Sequence, residues 1–111
     1  MNIRIKVHRL ELSRELRSTM ERRICFALGR FGEAIRDVTV RLTDLNGPKG
    51  GIDKECLMVV KLRYGGEVLV QSNGKESMAA LNYCADRMGR SVERELSRNQ
   101  KIFIRKNRRR R

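Results

Sequence analysis

Residues 55–71, ECLMVVKLRYGGEVLVQ, decide the fold. The run 55–63 is apolar on both faces at its centre, with Met58, Val60 and Leu62 on one side and Leu57 and Val59 on the other. A short two-sided run of this kind, closed by turn residues, predicts a strand. Tyr64-Gly65-Gly66-Glu67 is a tight hairpin signal, because glycine enters the positive-φ region that two-residue turns require. Val68–Gln71 then returns as the neighbouring antiparallel strand.

Upstream, DVTVRLT (37–43) alternates, placing Val38, Val40 and Leu42 inward and Thr39, Arg41 and Thr43 outward. It predicts a strand joined to the hairpin through LNGPKGGID (45–53), a loop with three glycines and the only proline. IRIKV (3–7) alternates in the same way, with Ile3, Ile5 and Val7 to one side. Between these strands Ser13 offers an N-cap, Leu16, Met20, Ile24, Ala27, Leu28 and Phe31 form one apolar stripe, and Gly32 suits the C-terminal cap. A helix over about 14–31 follows. A second helix is expected from about 75 to 97, with Leu81, Ala85, Met88 and Val92 as its core face.

The order is β-α-β-β-β-α, an α+β fold in one domain. Strands 1 and 2 should be parallel with a right-handed crossover, and strands 2 to 4 an antiparallel meander. The result is a four-stranded mixed sheet. Each helix has a single apolar stripe, so both should cover the same sheet face. The other face stays open, and Leu57, Val59 and Leu69 form a small apolar patch on it that could serve a partner.

Charge is the strongest compositional signal. Among 111 residues, 26 Lys and Arg face 13 Asp and Glu, for a net charge of +13. Residues 97–111 carry eight of the basic residues and none of the acids. The chain therefore reads as a domain over 1–98 followed by a flexible basic tail, 99–111. This balance points to a polyanion partner, nucleic acid before anionic membrane. No run is apolar enough for a signal peptide or membrane span, so a cytoplasmic protein is expected. Cys25, Cys56 and Cys84 are odd in number, far apart and beside apolar stripes; buried free thiols are expected, with neither disulfides nor a metal.

The charge is also sorted. At 100° per residue, Tyr83, Arg87, Arg90, Arg94 and Arg98 share one face of the second helix, while Asp86 and Glu93 fall on another flank. Glu95 lies near the core edge, poorly placed to neutralise the row. A row of guanidinium forks suits phosphate oxygens, and Tyr83 could stack on a base or ribose. Arg14, Arg22, Arg23 and Arg30 on the first helix and Lys101 and Arg105 in the tail extend the candidate surface. Catalysis finds little support: His8 is the only histidine, GPKGG matches no phosphate-loop pattern, and no paired carboxylates stand out. A non-enzyme without cofactor or small-molecule substrate is expected.

The run IKVHRLELS (5–13) resembles the opening of the ribosome hibernation-promoting factors, the ribosome-associated inhibitor family also called sigma-54 modulation or S30EA-type proteins. DVTVRL resembles their second strand and KESMAALN (75–82) the start of their last helix, with Asp86-Arg87-Met88, Arg90 and Val92 continuing it. Val7 stands where glycine is usual and Met78 where tyrosine is. The likeness covers residues 2 to about 98 and corresponds to a short form, without a C-terminal dimerisation domain and hence a monomer or weak dimer. It implies a fold similar to a double-stranded-RNA-binding domain, bound to rRNA in the decoding region of the small ribosomal subunit. There it would block tRNA and mRNA access under stress or in stationary phase. It further implies rRNA contact by Arg87 and Arg90, with Arg94 beside them; His8 falls within the matching opening, while Lys75, a further candidate for RNA contact, stands with Ser77 where the family has acids. Two other readings stand beside it: a general binder of structured RNA, and an adaptor using the open sheet face.

Overall fold

The computed structural model of the protein describes residues 1–45 and 53–109, with side chains described through Arg98. Strand β1 (Asn2–His8) leads into helix α1 (Arg14–Leu28) and a 3-10 turn (Gly29–Phe31). Strands β2 (Ile35–Asp44), β3 (Lys54–Leu62) and β4 (Glu67–Gly74) follow, and helix α2 (Ser77–Arg109) closes the chain. The sheet order is β1-β2-β3-β4, with β1 parallel to β2 and the other pairs antiparallel. This is the mixed four-stranded sheet that the alternation predicts. Gly65 and Gly66 have φ of 98° and 90° in the β3–β4 turn, where a side chain would be strained. The expected loop falls largely on 46–52, outside the described residues.

Ser13 caps α1, its Oγ accepting from the Leu16 amide at 3.0 Å, with Glu15 in the first turn. The α-helix ends earlier than expected. Gly29, not Gly32, supplies its C-cap, donating to the Cys25 carbonyl, and Gly32 closes the 3-10 turn by donating to Gly29 at 3.0 Å. The apolar stripe buries Met20, Ile24 and Leu28 completely against Val38, Val40, Leu42, Met58, Val60 and the Leu81, Ala85, Met88 and Val92 face of α2. Burying each large aliphatic side chain contributes about 1.5–3 kcal/mol. Val7, placed inward by the alternation, is exposed one residue from the end of an edge strand.

Two further expectations need correction. Cys56 and Cys84 are buried free thiols, but Cys25 is exposed, since one residue past Ile24 the helix has turned about 100° from its core stripe. The second helix does not stop near 97. Its backbone continues as helix to Arg109. No Gly or Pro occurs between Arg90 and Arg109 to break it, and Arg, Lys, Gln and Glu are good helix formers.

Both edges of the sheet are held by arginines. Arg17 of α1 donates to the Ile5 carbonyl of β1 at 2.8 Å, and Arg87 of α2 to the Gln71 carbonyl of β4 at 3.1 Å. At the end of the β2–β3 pair, Lys54 bridges two carboxylates, 2.9 Å from Asp53 and 3.4 Å from Asp44. Its ammonium is held above the ordinary lysine value, chiefly by the hydrogen bond to Asp53.

Candidate nucleic-acid interface

The acids and bases of α2 face different ways, as the spacing predicts. Asp86 turns toward α1 and pairs with Arg23, whose Nε also donates to Asn82 at 3.0 Å. Glu93 turns the same way, 3.5 Å from Arg30. These cross-helix pairs use the carboxylates that would otherwise neutralise the outer face. Tyr83, Arg87, Arg90 and Arg94 remain exposed on that face, and no ion pair to them occurs among the described residues. Arg87 uses one of its five donors on Gln71, and Arg94 bonds the Ser91 hydroxyl at 3.3 Å. The remaining donors point to solvent, where phosphate oxygens can accept them.

Other expected residues divide. Arg23 is the most committed, with a side chain only 24% exposed between Asp86 and Asn82. It locks the two helices together. Arg30 is split between Glu93 and the Phe31 ring, 4.6 Å from its centroid. Arg98 lies 3.9 Å from Glu95, so that carboxylate reaches the end of the row after all, one helical turn away at i,i+3. Arg22 is exposed on top of α1, its guanidinium 3.4 Å from the Thr19 hydroxyl. Lys75 is exposed just before α2. His8 is not brought to this surface: it ends β1, the strand at the opposite edge of the sheet from β4. Side chains of Lys101 and Arg105 lie outside the described residues.

The structure also adds residues. The β1–β2 register sets Lys6 against Arg41 and Arg4 against Thr39 on the open face. Alternation alone placed each residue outward; only the pairing register puts Lys6 and Arg41 side by side. Leu69 is exposed and pairs with the half-buried Val59, while Leu57 pairs across to Arg41, so the apolar patch on β3–β4 borders these cations. Phe26 was missed. It sits off the α1 stripe and is 87% exposed, beside the cross-helix pairs.

No group of three His, Cys, Asp or Glu able to hold a metal occurs among the described residues. Cys84 donates to the Cys56 carbonyl at 3.2 Å. The Cys56 thiol is pushed up first by its contact with Cys84 and then by burial, so it stays protonated and unreactive. No described helix is long and apolar enough to cross a membrane.

A β-α-β-β-β-α domain with one helix-covered sheet face and an exposed arginine row along its last helix defines a class: small basic α+β domains with one strongly positive helix face. The comparisons narrow this. Residues 3–100 match the model of the family described as "Sigma 54 modulation protein / S30EA ribosomal protein", and the chain belongs to that family, making it a ribosome-associated modulation protein. Among solved structures it is similar to the Protein Y N-terminal domain of Thermus thermophilus, with 24% identity, TM-score 0.68, and 85% of this chain and 98% of that one covered. It is also similar to a ribosomal subunit interface protein from Coxiella burnetii, at 14% identity and TM-score 0.72, covering 87% of this chain and 99% of that one. At these identities the two structures establish the fold. No match was found among curated proteins.

Proposed function

We propose that the chain binds rRNA in the decoding region of the small ribosomal subunit and holds ribosomes idle under stress by occluding tRNA and mRNA. The observation that carries this reading is the outer face of α2, where Arg87, Arg90 and Arg94 stand exposed while Asp86 and Glu93 are drawn off toward α1. Family membership supplies the ribosome, and the arginine row supplies a means of gripping it. Recognition by this row is electrostatic, reading the spacing of phosphates rather than base sequence. Tyr83 lies on the same face, where it can pack on a ribose or base. Lys75 and Arg98 would extend the contact at either end of the row.

Co-sedimentation with purified small subunits tests the proposal. Wild-type protein should pellet stoichiometrically at moderate salt, be displaced by excess tRNA plus mRNA, and lose pelleting when Arg87, Arg90 and Arg94 are all changed to Glu. Equal pelleting of the triple variant would remove the row from the interface. Equal affinity for naked duplex RNA and for small subunits would favour a general RNA binder.

A further inference from the structure

The trough between α1 and α2 has an unusual lining. Its floor is Ala27, Ala85 and Gly89, three small residues, and it holds about 280 Å³. The helices pass closely here: a Cβ on Gly89 would sit 3.4 Å from the Ala27 carbonyl oxygen. Phe26 forms one wall, with Arg30 and Arg90 on the rim. A phenyl ring 87% exposed contributes nothing to the core, and a polar residue would serve the fold equally well. Such a ring among guanidinium groups has the makeup of a platform for stacking an unpaired base.

We infer that this trough is a single-nucleotide subsite, taking one unpaired base of RNA against Phe26 with its flanking phosphates on Arg30 and Arg90. The inference rests on the RNA-binding reading and deepens it. Arg90 belongs both to the rim and to the row with Arg87 and Arg94, so a strand following the row passes the mouth of the trough. Asp86 lines the far end. One of its oxygens is held by Arg23, and the other is an acceptor for N–H donors on a base edge. Guanine, with an imino and an amino donor on its pairing edge, can offer either to this single oxygen. Asp86 does not repel the backbone strongly, since its charge is paired with Arg23.

The test uses two RNA hairpins, identical except that one carries a single bulged guanosine, with binding followed by fluorescence anisotropy at low salt. Wild type should bind the bulged hairpin about tenfold more tightly, the scale of one base–aromatic stack. Phe26→Ala should erase that preference while keeping the affinity for the plain hairpin, and Phe26→Tyr should retain it. Because Phe26 is exposed, these variants should melt at the wild-type temperature. Equal binding of the two hairpins by wild type, or an undiminished preference in Phe26→Ala, would overturn the subsite and leave the arginine row standing. Failure of wild type to bind either hairpin would overturn the subsite together with RNA binding by the isolated protein.

Discussion

Gly89→Ala gives the sharpest test of how the two helices meet. A glycine inside a helix costs about 1 kcal/mol relative to alanine. At Gly89 the added methyl would meet only the Ala27 carbonyl oxygen, at 3.4 Å, an ordinary van der Waals contact. The position is buried, so the methyl also leaves water. The variant should therefore be more stable by about 0.5–1 kcal/mol. With a urea dependence near 2 kcal/mol per molar, its unfolding midpoint should rise by roughly 0.3–0.5 M. Gly74→Ala is the matched control. There the methyl would come within 2.9 Å of the Ala80 nitrogen and 3.3 Å of the Ala79 Cβ, at the junction of β4 and α2. Neither backbone can yield without disturbing the start of the helix, and overpacking of this kind costs about 1–3 kcal/mol. A lowered midpoint for Gly89→Ala, or an unchanged one for Gly74→Ala, would refute the reasoning. The same Gly89 methyl raises the trough floor, so a more stable protein should show a weaker preference for the bulged hairpin.

Four other outcomes follow from contacts already described. Changing Arg87, Arg90 and Arg94 to Gln should lower the log–log salt slope of RNA binding by about 2 to 2.7, as three phosphate contacts would; a parallel slope would show that the row touches no phosphate. In a double-mutant cycle on stability, Arg23→Ala and Asp86→Ala should couple by less than about 1 kcal/mol, because Asp86 is 59% exposed. A thiol reagent should label Cys25 alone in native protein and all three cysteines in denaturant, read by mass spectrometry. Lys54 has a raised value in the fold, so its stabilising contribution is complete below the ordinary 10.5 and fades as pH climbs through the folded value. Lys54→Met should remove it at neutral pH and leave the 1%-exposed Asp53 without its cation, seen as a lower melting temperature at pH 7 than in wild type.

The fold was legible because β1 and β2 alternate cleanly and Gly65-Gly66 marks the reversal between the two-sided apolar β3 and β4. Core and solvent faces of α2 were legible for a similar reason: its heptad-like spacing separates Met88 and Val92 from Arg87 and Arg94. What the sequence could not supply was partnership across elements. Arg23 and Arg87 look alike on a helical wheel, yet one is bound by Asp86 and Asn82 and the other is exposed with a single bond to the Gln71 carbonyl. Lys6 and Arg41 stand 35 positions apart in the chain and become neighbours only through the parallel register. Phe26 was passed over because a single aromatic off the apolar stripe gives no periodic signal; its setting is made by α2, which begins 51 residues later. The end of α2 was misjudged for a different reason. Charge density was read as a break, although arginine and lysine favour helix once nothing interrupts it.

The arginines at the two sheet edges bear on how the protein behaves when crowded. An edge strand with free carbonyls invites another chain to add a strand, the usual start of aggregation. Arg17 on Ile5 and Arg87 on Gln71 place a positive charge on each rim, and like charges on approaching copies oppose such pairing. Arg87 guards the β4 rim and also belongs to the row offered to phosphate. A polyanion that drew it away from Gln71 would loosen that guard while covering the rim with its own bulk. If the row grips RNA as proposed, the solubility of the free pool and the hold on the bound one depend on the same side chain.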